Sequence, residues 1–433
     1  MYIFSGKLKI AAITLMILGL VGIINGFMEV PKSNEQVLEI MHERSHESHA
    51  HSSDSDLAGA SDHHDQKHLE HVKHQLQNKP WSALYVACIF FFLLTLGVLV
   101  FYAIQRAAQA GWSPVLFRVM EGVTSNLLPI SIILFVLFLF SAFHFNHLFI
   151  WMDDQVVKTD KIIQGKSGYL NVSFFLIRAF VFLLAFNLYR FFSRRLSKKE
   201  DQDTTRNSYR KNFKLAAAFL VVFIVFESLL SWDWLMSFDP HWYSTLYAWY
   251  VFASFFVSGI TMLTVITLYL KSKGHLEFVN SSHIHDLAKF MFAFSIFWTY
   301  LWFSQFMLIW YSNIPEEVTY FVTRFQDFKL PFLGLLVLNF IFPFIVLINT
   351  DFKRISWLII IAGIVILFGH YLDFYMMVIP ATVGESWSIG FVEIGSLFFF
   401  LGLFIYIVFT SLSRKQLVPK NNPLLEESKQ FHY

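Results

Sequence analysis

The sequence predicts an all-α polytopic membrane protein. Three observations lead there: ten separate apolar stretches long enough to cross a bilayer, a composition 56% hydrophobic and 15% charged, and Lys and Arg gathered on alternate connections between the stretches. A soluble fold has too little interior to hide that much apolar surface, and the mean hydropathy is +0.52. The 52 Phe, 17 Tyr and 12 Trp suit a lipid-facing surface with aromatic belts at both interfaces.

A window of about 20 apolar residues, the length of the hydrocarbon core, places spans near 8–28, 81–104, 127–151, 169–193, 213–235, 244–271, 286–311, 330–349, 355–379 and 389–411. The first follows only Lys7 and Lys9. Its apolar run is long for a signal peptide, and no small-x-small site precedes Glu29-Val30-Pro31-Lys32, so residues 1–28 are expected to be a retained helix. Residues 29–80 form the longest polar segment, carrying His42, His46, His49, His51, His63, His64, His68, His71 and His74 among Ser, Asp and Glu. Such a stretch reads as a solvated external loop. His42, His46 and His49 are the alternative, a transition-metal site if that segment is helical. Spans two to ten make a membrane core over 81–411, and 412–433 is a polar tail.

Orientation follows from the basic residues. Arg190, Arg194, Arg195, Lys198, Lys199, Arg206, Arg210, Lys211 and Lys214 crowd one connection between two apolar spans, which places that connection, and with it both termini, in the cytoplasm. The His-rich loop is then periplasmic. Cys88 is the only cysteine, so the chain offers no CxxC pair, no CxxCH haem attachment and no thiolate cage for an iron–sulfur cluster. Electrons passing nearby would be carried by other subunits.

Ionisable groups inside spans are costly and mark pathways or partners. They are Arg178 in span four, Glu227 and Asp233 in span five, His370 and Asp373 in span nine, Glu393 in span ten, and His144 with His147 in span three. At a rise of about 1.5 Å per residue, Arg178, Glu227, His370 and His144 fall about 10 to 14 Å below the outer surface. Asp233, Asp373, Glu393 and His147 lie nearer the edge, so a polar layer fills the outer half of the membrane. In the inner half the polar candidates are Ser254, Ser258, Thr261, Ser295, Thr299 and Asn339, with Lys289 at the interface. This pattern favours an outer half-channel over a complete pore. For each residue a structural reading stands beside the functional one: Arg178 paired with Glu227 or Glu393, and His370 with Asp373 as an oriented i,i+3 pair. A b-type haem between His144 and His370 is a further alternative.

Two segments are the most specific local signals. The first runs Ser231-Trp232-Asp233-Trp234-Leu235-Met236-Ser237-Phe238-Asp239-Pro240-His241-Trp242-Tyr243 and on to Tyr250. The second comprises His285-Asp286-Leu287-Ala288-Lys289-Phe290, Trp298-Thr299-Tyr300-Leu301-Trp302-Phe303-Ser304-Gln305-Phe306 and the acidic turn with Glu316 and Glu317. In this order they resemble the quinol-oxidoreductase membrane subunits of bacterial alternative complex III, the ActF type rather than the ActC type because of the large His-rich first loop, within the wider NrfD/PsrC-like superfamily. The resemblance extends over spans three to ten, and the two motifs themselves over about an eighth of the chain.

The resemblance implies two four-helix bundles plus two further helices. It implies a place beside an ActC-like paralogue, an iron–sulfur subunit, c-type cytochrome subunits and small membrane subunits, with haem c, iron–sulfur clusters and menaquinol held by those partners and no cofactor held by this chain. It also implies a structural and proton-conducting role. Carried over on the matched motifs are Asp233, Asp239, His241, Asp286, Gln305, Glu316 and Glu317. The proton-path candidates are thus Glu227, Asp233, Asp239, His241, His370, Asp373, Glu393, Arg178 and His144. Two other readings stay open: a chain that oxidises quinol itself, with His370 or His144 accepting the quinol proton, and a secondary transporter, for which no long internal repeat is visible. Nothing in the sequence points to nucleic acid.

Overall fold

The structure is a computed structural model that describes residues 2–31, 33–38, 40, 62–414 and 416–432, the side chains of 62–68 and 71 excepted. The metal alternative at His42, His46 and His49 lies outside these residues. Among the described residues there is no strand, and ten helices are long and apolar enough to cross a membrane. They are α1 (Gly6–Met28), α2 (Val72–Ala107), α3 (Pro114–Ala142), α4 (Val172–Glu200), α5 (Asn207–Phe238), α6 (Tyr247–Ser272), α7 (Ser281–Ser312), α8 (Lys329–Leu347), α9 (Ser356–Thr382) and α10 (Phe391–Ser413). The chain is a multi-pass membrane protein.

Helices α2, α3, α4 and α5 pack in a ring, and α6, α7, α8 and α9 in a second. The rings meet where α2 touches α6 and α9, which is why α2 and α6 are the most enclosed helices. The remaining pair, α1 and α10, lies against α2, held by glycines that let the backbones touch. A Cβ on Gly19 would collide with the backbone nitrogen of Phe399, and one on Gly395 would sit 2.9 Å from the carbonyl of Gly19. Between helices in lipid, such close approach replaces the hydrophobic drive that water would supply.

Two spans, the second and the third, differ most from the sequence expectation. Helix α2 continues a longer helix that starts at Asp62, inside the segment read as loop, because the Gln, Glu, Lys and Leu of residues 62–79 are adequate helix formers. Span three runs Pro114–Ala142 rather than 127–151. Its beginning escapes a hydropathy window because it carries Arg118, Glu121 and Asn126, all buried among polar partners. Its end is set by a left-handed turn at His144 (φ 59°), where the Phe145 N–H reaches back to the Phe140 carbonyl at 2.9 Å. The apolar composition runs on past that turn, but the helix does not.

The molecule has two chemically distinct ends. One, rich in Trp and Tyr, carries the connections 143–171, 239–246, 313–328 and 383–390; the other, rich in Lys and Arg, carries 108–113, 201–206, 273–280 and 348–355. At the basic end a charge network is buried between α2, α3 and α4: Arg106 to Glu200 at 2.7 Å, Arg118 to Glu121 at 2.8 Å, and Arg118 to Asp201 at 2.5 Å. Ser197 donates a very short bond to Glu121. The C-terminal segment closes over this network, with Asn422 donating to Glu200 at 2.7 Å and the backbone N–H of Lys420 to Asp201 at 3.0 Å. Residues 416–432 are thus packed against the bundle, not a free tail.

Candidate functional site in the second bundle

The most elaborate buried polar constellation surrounds Asp373 of α9, whose side chain is wholly excluded from solvent. Helix α9 brings Asp373 and His370 to one face through the i,i+3 relation, and α6 presents Tyr250 and Ser254 across from them through i,i+4. Ser254 Oγ donates to Asp373 Oδ2 at 2.8 Å, Trp298 Nε1 of α7 donates to the same oxygen at 2.8 Å, and Tyr250 OH donates a very short bond to Oδ1. No Lys or Arg pairs with this carboxylate among the described residues; three neutral donors satisfy it.

His370 is joined to Asp373 through the serine. Its Nδ1 lies 3.0 Å from Ser254 Oγ and 3.7 Å from Asp373 Oδ2. Because the Ser254 hydroxyl proton goes to Asp373, the serine oxygen accepts from Nδ1–H, which leaves Nε2 as the bare ring nitrogen. Nε2 is buried and has no partner among the described residues. The Trp298 ring stands edge-on to the imidazole with centroids 5.4 Å apart.

Further orphan polar atoms lie towards the basic end from His370. Antiparallel α6 and α9 set Ser254 opposite His370 and, two turns on, Thr261 beside Gly363, where an added Cβ would meet the threonine methyl at 3.3 Å. Asn339 of α8 lies against Gly369, where a Cβ would collide with Asn339 Oδ1. Thr261 Oγ1, Ser295 Oγ and both amide atoms of Asn339 are buried without hydrogen-bond partners among the described residues. Sequence explains the Asn339 position: Pro343 lacks an N–H and its ring cannot lie against the carbonyl four residues back, so α8 widens into a π-turn over Val337–Ile341. Thr299 and Ser258, by contrast, bond to carbonyls of their own helices.

Towards the aromatic end, one turn beyond Asp373, Met377 helps line a cavity of about 80 Å³, with Asp239, Trp242, Tyr247, Tyr320 and Arg324 on its wall. That volume holds a few waters. Arg324 belongs to the short helix Pro315–Gln326, and sequence reasoning does not single it out. Its Nη2 donates to the Met376 carbonyl at 3.0 Å, the acceptor that Pro380 frees by lacking the N–H that would have reached it, and its guanidinium lies 3.2 Å over the Tyr320 ring. Pro380, one residue past the predicted span 355–379, is the one sequence signal that a carbonyl four residues earlier needs an outside donor.

The other candidates fall elsewhere. Arg178 pairs with Asp233, not with Glu227 or Glu393: Nε to Oδ2 at 2.6 Å and Nη2 to Oδ1 at 3.1 Å, a bidentate bridge inside the first bundle, roofed by the Tyr169 and Phe174 rings. Glu227 is alone at the seam between the bundles, bonded only to Ser231 Oγ at 3.0 Å among the described residues. Its neighbours along α5, Phe223 and Trp234, touch Phe255 of α6 and Phe92 of α2. Glu393 caps the start of α10 by accepting from the Gly390 N–H at 2.8 Å, beside a separate cavity with Glu29 and Lys79. The predicted layer is therefore several pockets of polarity, not one connected sheet.

His144 is exposed in the turn after α3 and His147 lies half-buried in the loop, so neither sits inside a span nor shares a helical face with the other. An imidazole pair from His144 and His370 on facing helices does not exist. Asp239 and His241 are at the surface, as expected of that turn, with His241 Nε2 2.6 Å from Asp160 Oδ2. Asp286, Glu316 and Glu317 also lie elsewhere: Asp286 pairs with Lys289 at 2.5 Å near the basic end, and the two glutamates begin the helix Pro315–Gln326. Gln305 is buried on α7, two turns from Trp298 towards the aromatic end, and does not bond to Asp373. Comparison with protein-family models and with curated proteins finds no match for this chain.

Proposed function

We propose that the chain is an integral membrane subunit of a respiratory quinol:electron-acceptor oxidoreductase of the alternative complex III type. In this reading it lies in the bacterial cytoplasmic membrane with both termini inside, gives the assembly structure, and moves protons through the outer half of its second bundle. The partner subunits hold haem c, iron–sulfur clusters and menaquinol. The ordered motifs support the assembly, and the excess of Lys and Arg at one end supports the orientation. The observation that carries the proton role is Asp373, a fully buried carboxylate held by three neutral donors, one turn below a cavity with room for a few waters and linked by Ser254 to an imidazole whose Nε2 has no partner among the described residues.

That geometry forms a two-way relay. A proton bound at His370 Nε2 makes an imidazolium; Nδ1–H passes its proton to Ser254 Oγ as the serine hydroxyl proton passes to Asp373 Oδ2. The net change is one proton moved from histidine to aspartate, with the ring returned neutral in its other tautomer. Tyr250 OH is bonded to the other carboxyl oxygen. The orphan groups of Asn339, Ser295 and Thr261 supply polar contacts on the approach to Nε2, where ordered water binds readily.

Two measurements test the two parts. The tagged chain, purified in mild detergent, is expected to bring c-type cytochrome and iron–sulfur proteins with it and to show a haem difference spectrum; a chain that emerges alone and colourless overturns the assembly. In the reconstituted complex, Ser254→Ala is expected to lower proton release per electron while quinol oxidation by uncoupled membranes continues. Unchanged proton stoichiometry in both Ser254→Ala and Asp373→Asn overturns the relay.

A further inference from the structure

Towards the basic end, α4 is bonded to both α3 and α10 beside two arginines whose charge the protein does not balance. Asn187 of α4 donates to Ser131 of α3 at 3.0 Å, and towards the basic end from there, Arg194 donates from Nη2 to Ser411 of α10 at 3.1 Å. These two bonds place Arg190 and Arg194, an i,i+4 pair, at the junction of the three helices. Both arginines are half-buried, and both Nε–H groups are shielded from solvent with no hydrogen-bond partner among the described residues. Arg190 makes no hydrogen bond or ion pair with any described residue. Burying donors of a permanently charged group without an acceptor is costly and calls for an anion.

The acidic groups nearby are already engaged. Glu121 takes Arg118 and Ser197, Glu200 takes Arg106, and Asp201 takes Arg118. Arg414, exposed at the end of α10, adds further positive charge to the surroundings of Arg194. Five guanidiniums thus share three carboxylates. Around this junction the surface is apolar and exposed: Leu128 and Ile132 of α3 are 49% and 57% exposed, and Phe191 and Phe192 beside Arg190 are 57% and 45% exposed. Unbalanced guanidiniums at the end of a lipid-facing apolar strip match a molecule with an anionic head and hydrocarbon tails.

We propose that this junction binds the phosphodiester headgroup of an anionic phospholipid, with Arg190 and Arg194 as its donors and the α3–α4 strip against its acyl chains. The guanidinium fork suits phosphate oxygens, and interhelical basic pockets at a membrane face are the general setting for such lipids. The site stands on the membrane fold and not on the redox reading.

The test uses the full-length chain, delipidated in a zwitterionic detergent, with thermal stability and native mass spectrometry as readouts. Phosphatidylglycerol is expected to raise the melting temperature saturably and to remain bound in the gas phase, while phosphatidylcholine and millimolar inorganic phosphate do neither. In Arg190→Gln/Arg194→Gln the half-saturating lipid concentration is expected to rise about thirtyfold, because both cationic donors to the headgroup are removed. Lys198→Gln/Lys199→Gln removes the same charge from the exposed surface and is expected to change it less than about threefold. Should the arginine pair fail to fold, Arg190→Gln alone serves, since Arg190 bonds to no described residue; its expected loss is about fivefold. Equal lipid affinity in wild type and the arginine variant overturns the site. So does equal stabilisation by phosphate alone, which would make it a plain anion site, or an equal loss in the lysine variant, which would make it diffuse surface charge.

Discussion

Asp233→Asn is the sharpest perturbation of the first bundle, because it removes the charge that Arg178 faces while keeping the shape. Asp233 is fully buried and the Arg178 side chain is 8% exposed, so the arginine cannot turn to water without moving α4. Breaking a buried pair by removing one partner costs about 3 to 5 kcal/mol. The lower figure applies here, because Arg178 keeps the Tyr169 carbonyl at 3.0 Å and the faces of Tyr169 and Phe174 at 3.9 and 4.2 Å. With an unfolding entropy of about 2.1 cal/mol/K per residue over 433 residues, about 3 kcal/mol lowers the melting temperature by about 3 °C. The assay is thermal denaturation of the purified chain followed by size-exclusion fluorescence. The double variant Arg178→Leu/Asp233→Leu removes both charges and is expected to recover at least half of the loss. A shift below about 1 °C in the single variant, or a double variant no better than the single, would refute the claim that the pair is buried and mutually dependent.

Gly395→Leu is expected to detach α1 from α10, since even a Cβ there meets the Gly19 carbonyl at 2.9 Å; a new protease cut in the connection after α1 would report it, and wild-type resistance would contradict the packing. Asn422→Ala leaves the Glu200 carboxylate short of a donor and is expected to cost about 1 to 3 kcal/mol, read as a lower denaturation midpoint; no change would mean the C-terminal segment does not seal the charge network. Burial, with the His74 ring edge-on at 4.6 Å, holds the His147 imidazole below its ordinary value. The folded form then binds fewer protons than the unfolded one, so this contribution to stability is complete above about pH 7 and declines as pH falls through about 6.5. His147→Gln is expected to flatten that step in melting temperature between about pH 7.5 and 5.5, and an unaltered step would assign it elsewhere.

Hydropathy reveals the ten spans because crossing a bilayer needs length and apolarity, both of which are local properties of sequence. It fails at α3 for the same reason: Arg118 and Glu121 are an i,i+3 pair that lowers the local hydropathy, and the Asp201 and Ser197 partners that complete their burial meet them only in three dimensions. His370 and Asp373 are legible as an i,i+3 pair, and they do share the candidate site. Their completing partners are not. Tyr250 and Trp298 lie in segments where aromatic residues read as interface belts, and only packing of α6 and α7 against α9 shows them as donors to a carboxylate. The choice of Asp233 over Glu227 for Arg178 is likewise a matter of which face of α5 meets α4. The charge network at the basic end escapes a reading of sequence because Arg106 and Glu200 stand at helix ends, where charged residues ordinarily reach water.

The contact between Arg324 and the Met376 carbonyl makes the last stretch of α9 a spliced beam. At Pro380 the helix lacks one of its own ties, and a side chain from the neighbouring short helix replaces it. Asp373 sits one turn from the splice. A shift of Pro315–Gln326 therefore reaches the end of α9 through the Arg324 guanidinium, alongside the ring contacts the short helix makes with Trp242, Phe306 and Phe332. A surface helix of the second bundle and that bundle's most enclosed acid are mechanically in series.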